Sequence, residues 1–110
     1  MSARILVVDD LEANRRLLEA MLTADYYEVL MATRGEEGVQ LAKREKPDLI
    51  LMDVMMPGGI DGYEACRRLK SMPETRHIPV VILTTLDDRD NRVRGLQSGA
   101  EEFLTKPIDD

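Results

Sequence analysis

Three short apolar runs, Arg4–Val8, Leu49–Met52 and Val80–Leu83, end abruptly on Asp9-Asp10, on Asp53 and on Thr84-Thr85. A run without alternation suits a strand buried on both faces of a parallel sheet, and such a sheet needs helices on each side. The intervening segments supply them. Leu11, Leu17, Leu18, Met21 and Leu22 recur at helical spacing and predict a first helix over Glu12–Ala24. Tyr27–Ala32 reads as a second strand and Gly35–Arg44 as a second helix, although Gly38 inside it costs about 1 kcal/mol relative to Ala. Lys46-Pro47 ends that helix. Beyond the third strand and a loop containing Pro57-Gly58-Gly59, Asp61 is the expected N-cap of a third helix whose Ala65, Cys66 and Leu69 share a face. Asp87–Gln97 is charged almost all round, with Val93 and Leu96 as expected anchors, and should be the least firmly packed helix. Glu102–Thr105 reads as a fifth strand leading into Lys106-Pro107.

Strands that alternate with helices imply right-handed crossovers and a doubly wound α/β fold with a five-stranded parallel sheet, of expected order 2-1-3-4-5. In such sheets ligands bind beyond the carboxyl ends of the strands where the order reverses, here between strands one and three. Asp9 and Asp10 follow the first of these strands and Asp53 follows the second. Thr84 and Lys106 end strands four and five. Three carboxylates brought together repel one another unless a cation neutralises them. An acidic, oxygen-rich pocket suits a hard divalent ion, Mg²⁺ above all. A bound ion of this kind can hold a phosphoryl oxygen while a carboxylate attacks phosphorus.

The chain has 110 residues, 44% hydrophobic and 33% charged, which fits one soluble domain and leaves little room for a second. A formal net charge of −6 disfavours direct contact with nucleic acid, which needs clustered Lys and Arg. No apolar stretch is long enough to span a membrane and no signal-peptide pattern opens the chain, so a cytoplasmic location is expected. The single Cys66 cannot form an internal disulfide and reads as a small buried hydrophobe. His77, before Pro79, reads as a loop residue. Arg89, Arg92 and Arg94 read as either a solvated face or part of a dimer contact.

The blocks Ile5-Leu6-Val7-Val8-Asp9-Asp10, Asp48–Pro57, Asp61-Gly62, Pro79–Thr84, Gly99-Ala100 and Phe103-Leu104-Thr105-Lys106-Pro107 occur in order across the chain. In this the sequence resembles the receiver domain of two-component response regulators. Stretches such as Met1–Asp10, Thr75–Val81 and Phe103–Asp110 are similar to the first receiver of PleD-type diguanylate cyclases. The resemblance implies a flavodoxin-like, CheY-like fold and a phosphoprotein switch that catalyses its own phosphorylation and slow dephosphorylation. It implies that Asp53 is the phosphoacceptor, served by a histidine kinase or a histidine phosphotransfer protein. Asp10 would bind Mg²⁺ directly and Asp9 through water, with Asp53 and the main-chain carbonyl of Met55 as further ligands. Lys106 would pair with Asp53 and then with the phosphoryl group, Thr84 would bond a phosphoryl oxygen, and Phe103 would be the switch aromatic. A cis bond before Pro107 would orient Lys106. The surface of the fourth helix and fifth strand would then control an output domain, a diguanylate cyclase on the narrower resemblance, or a homodimer or partner protein.

Two departures stand out. Gly58, Gly59 and Ile60 place three residues where the family commonly has two. A receiver normally continues into a fifth helix on the face of the first, so that helix is expected to be absent or truncated and residues 1–110 to be the N-terminal part of a longer chain. Other functions fit less well. A phosphatase with a nucleophilic aspartate wants an acid at position 55, which is Met, and a flavin or nucleotide module wants a Gly- or Ser/Thr-rich loop where Asp9-Asp10-Leu11-Glu12 stands. A receiver-like module that no longer accepts phosphoryl would not need the complete set of acids, hydroxyl and lysine.

Overall fold

The computed structural model describes residues 2–84 and 89–105. Five parallel strands, β1 (Arg4–Val8), β2 (Glu28–Ala32), β3 (Leu49–Asp53), β4 (Val80–Thr84) and β5 (Glu102–Thr105), alternate with α1 (Glu12–Ala24), α2 (Gly35–Glu45), α3 (Gly62–Ser71) and α4 (Arg89–Gln97). The sheet order is β2-β1-β3-β4-β5, as the sequence predicts. The fifth helix, expected to be absent or truncated, would follow β5 from residues 106–110, which lie outside the described residues.

The continuous apolar runs serve both faces of the sheet. Ile5, Val7, Leu51 and Leu83 point to one side, where Leu18 and Leu22 of α1 meet them. Leu6, Val8, Ile50, Met52, Val80 and Ile82 point to the other, against Val39 and Ala42 of α2 and Tyr63, Ala65, Cys66 and Leu69 of α3. Of the stripe expected on α1, Leu11 and Leu17 are exposed. Leu11 is the N-cap and has extended backbone, and Leu17 lies one helical step round from Leu18, so only the Leu18/Leu22 pair at i, i+4 faces the sheet. Tyr27 was expected to open β2, but its N–H donates to Leu22 O and that of Tyr26 to Thr23 O, which keeps both residues in the turn that ends α1. Tyr26 is left-handed there, with φ 66°.

Gly38 is explained by packing. A β-carbon at this position would lie 2.7 Å from Val8 Cγ2, so α2 gives up helix propensity to approach β1 closely. Lys46 ends α2 in the left-handed conformation. Asp61 is the N-cap of α3, accepting the Glu64 N–H at 2.8 Å. On α4, Val93 and Leu96 are not the anchors expected of them; both are exposed. The helix instead seats small residues. Gly95 lies against the Phe103 ring, Ser98 is buried, and a side chain at 95 would collide with that ring, which turns Val93 and Leu96 to solvent. Among the described residues no helix is long and apolar enough to cross a membrane.

Candidate functional site

Asp9 follows β1 directly, and its N–H continues the ladder by donating to Ala32 O at 3.1 Å. The Asp9 side chain is fully buried, with Oδ1 accepting the Leu11 N–H at 2.9 Å, so the turn into α1 is closed by the acid itself. Asp10, the next residue, is half-buried. Asp53 is the last residue of β3, in register with Leu83 of β4 and only 4% exposed. The extra residue of strand beyond the expected Met52 comes from pairing with β4, where Val54 N–H donates to Leu83 O. Parallel pairing of β1 with β3 therefore carries Asp9, Asp10 and Asp53 to one point, where one carboxylate oxygen from each lies within 4.8 Å of the others. Oxygen donors of this hardness and spacing fit a small divalent cation.

Thr84 closes β4, buried and in register with Thr105 of β5. One strand over, Phe103 is half-buried and packs on the α2/α3 side of the sheet beneath Gly95. Met55, in the loop after Asp53, has an exposed side chain, whereas Met56 beside it is in the core. Lys106 and the peptide bond before Pro107 lie outside the described residues. His77 is exposed in the turns before β4. Cys66 is buried on the sheet-facing side of α3, where burial pushes the pKa of its thiol up despite a hydrogen bond with Ser98.

Three residues at the starts of helices support the surroundings of the acids: Arg15 and Glu36, which sequence reasoning passed over, and Gly62. Arg15, one turn into α1, donates from its guanidinium to the Asp9 main-chain carbonyl at 2.8 Å. Gly62 sits so close to the end of β3 that a β-carbon would overlap the Asp53 carbonyl, and its N–H donates to Val54 O at 3.1 Å. Glu36, in the first turn of α2, accepts the Ile60 N–H at 3.3 Å and so holds the rim with the additional residue. Hydrogen bonds from its own backbone and from Ile60 keep the Glu36 carboxyl below its ordinary value. The Asp61-Gly62 pair was the one visible signal among these, since a tight approach of loop to strand requires Gly.

Comparison with known proteins agrees with this geometry. The response regulator receiver domain family matches residues 5–110. The chain is 64% identical to the response regulator PleD of Caulobacter vibrioides over 110 residues, covering all of this chain and 24% of that protein. It is 47% identical to the protein PilH of Pseudomonas aeruginosa over 108 residues, 98% of this chain and 88% of PilH. Among solved structures, the chemotaxis protein CheY4 of Vibrio cholerae superposes with a TM-score of 0.93 at 29% identity, over 99% of this chain and 90% of that one. The receiver domain of the sensor histidine kinase PA1611 from Pseudomonas aeruginosa, solved with magnesium in its active-site cleft, gives 0.90 at 34% identity, over 99% and 88%. With sheet order, acidic cluster and family match in agreement, the chain belongs to the response regulator receiver domains of two-component signalling.

Proposed function

We propose that this domain takes a phosphoryl group onto Asp53 from a phosphohistidine of a histidine kinase or phosphotransfer protein, and that the change is read on the surface of α4 and β5. The observation that carries the reading is the meeting of the Asp9, Asp10 and Asp53 carboxylates within 4.8 Å at the carboxyl ends of β1 and β3. In the reaction an Asp53 oxygen attacks phosphorus, the phosphorus–nitrogen bond of the donor breaks, and the departing imidazole nitrogen takes a proton from water. Mg²⁺, when bound, supplies the positive charge that lets three carboxylates and an anionic donor share one pocket. Asp9, Asp10, Asp53 and the main-chain carbonyl of Met55 would hold it. The Thr84 hydroxyl bonds a phosphoryl oxygen, Lys106 pairs with the same group, and Phe103 follows inward.

An output domain beyond these residues, a diguanylate cyclase on the sequence resemblance, receives the signal in the cytoplasm. Asp53→Asn tests the assignment, because it keeps size and removes the nucleophilic charge. With a small phosphodonor and Mg²⁺, intact mass should show one added phosphoryl group on the wild type and none on the variant. A stoichiometric gain on the variant refutes the assignment.

A further inference from the structure

The described part of α4 buries few side chains against the body of the domain. Among the described residues of α4 and the turn after it, Gly95 and Ser98 are buried while Val93 and Leu96 face solvent. A helix so attached opens at low cost, and each remaining contact has a large influence on how often it does. One of those contacts is polar and reaches toward the acidic site. The Arg94 guanidinium is 3.0 Å from Asp61 Oδ2, and its central carbon stands 4.7 Å from the centroid of the Tyr63 ring. Asp61 uses its other oxygen to cap α3. The residue between Asp61 and Tyr63 is Gly62, which lies directly against the Asp53 carbonyl. Arg94 thus joins α4 to the same three-residue segment that abuts the end of β3. Its neighbour Gly95 seats Phe103, so a movement of α4 that carries Arg94 off Asp61 and Tyr63 also uncovers the Phe103 ring.

We infer that Asp61, Tyr63 and Arg94 form a clasp that holds α4 in the arrangement described and sets the fraction of molecules in which the helix is released. The inference rests on the proposed function only for its consequence: if phosphorylation of Asp53 acts through α4, the clasp opposes it and fixes the threshold of the switch. The clasp itself is a property of the unphosphorylated domain. A surface ion pair and an exposed cation–π contact are each weak, so together they alter the open fraction about three- to tenfold, a tuning element and not a lock. Tuning of that size is what a switch needs, since a ligand moves a two-state equilibrium only by its differential affinity for the two states.

Hydrogen exchange of the Ser98 and Gly99 amides, which donate to carbonyls of α4 itself, Arg94 and Leu96, reports the unwinding of the helix end that follows release, and the Phe103 ring resonances report the release. Arg94→Met removes both contacts and keeps the apolar stem, and Asp61→Asn keeps a capping oxygen while removing the charge. In the unphosphorylated protein each should speed exchange of these amides about three- to tenfold, with β1 and β3 amides unchanged. The double variant should be no faster than Arg94→Met alone, and Arg94→Lys should recover part of the protection. Unchanged exchange in Arg94→Met, or additive effects in the double variant, overturns the clasp. If exchange accelerates as expected while the wild type takes up no phosphoryl group from a small donor, the clasp stands and the phosphoacceptor assignment falls. If the wild type is phosphorylated and Arg94→Met exchanges like it, the reverse holds.

Discussion

Replacing Gly62 by alanine should damage the acidic site without touching an acid. A β-carbon there would overlap the Asp53 carbonyl and come within 3.0 Å of Val54 Cα, both backbone atoms that cannot swing aside as a flexible side chain would. Either α3 backs away from β3 or the end of β3 shifts. Overpacking of this kind costs about 1–3 kcal/mol. Weakening the Gly62 N–H to Val54 O bond costs about 1 kcal/mol more, and the gain from placing Ala in a helix returns up to about 1 kcal/mol. The net loss is about 1–3 kcal/mol against a domain stability of about 5–15, so the variant folds and its site can be measured. Because Asp53 moves with its carbonyl, the spacing of the three carboxylates is disturbed. Urea unfolding should show the lower midpoint, and Mg²⁺ titration and phosphoryl uptake should both weaken, by about tenfold or more. Gly58→Ala is the control. With φ +92° and no atom of the described residues within 4 Å of its β-carbon, it loses stability through backbone strain while leaving metal binding alone. A Gly62→Ala protein with the wild-type midpoint and wild-type Mg²⁺ titration would refute the reasoning.

How far the sequence discloses this site depends on the kind of interaction. Asp9, Asp53 and Thr84 are legible because each terminates an apolar run, and strand pairing then brings run-ends together whatever the loops do. The sheet order follows from the same runs. Arg94 and Glu36 were not legible, since a charged residue on a polar helix face looks alike whether it meets water or a loop far along the chain, and Arg15 was not because its partner is a main-chain carbonyl that no residue type marks. Glu36 is 24 residues from its partner Ile60, and Arg94 is 33 from Asp61. The misplaced anchors on α4 have a different origin. Periodicity weights large apolar side chains, but a helix that approaches an aromatic ring buries its smallest residues, as Gly95 does over Phe103, and turns the large ones outward. Gly38 repeats the lesson, a residue unfavourable to the helix and required by Val8.

Asp10→Ala should weaken Mg²⁺ binding more than Asp9→Ala, while Asp9→Ala should be the less stable of the two, because each relieves repulsion among the three acids but only Asp9→Ala strips the Leu11 N–H of its acceptor. Parallel metal titrations and urea melts check both rankings, and equal effects on metal would undo the first. Gly38→Ala should lower the urea midpoint, since about 1–3 kcal/mol of overpacking against Val8 outweighs about 1 kcal/mol of helix propensity; a raised midpoint contradicts the close-packing account. The rim of the site should loosen in acid. Hydrogen bonds from its own backbone and from Ile60 hold the Glu36 carboxyl below its ordinary value of 4.5, so the folded state binds this proton less readily than the unfolded chain. The contribution of Glu36 is therefore fully present above 4.5 and is lost as pH falls through the lower, folded value. The Ile60 amide should shift and exchange faster over that range, and Glu36→Gln should flatten the transition. An Ile60 amide that responds to acid identically in the Gln variant would show that another group carries the change.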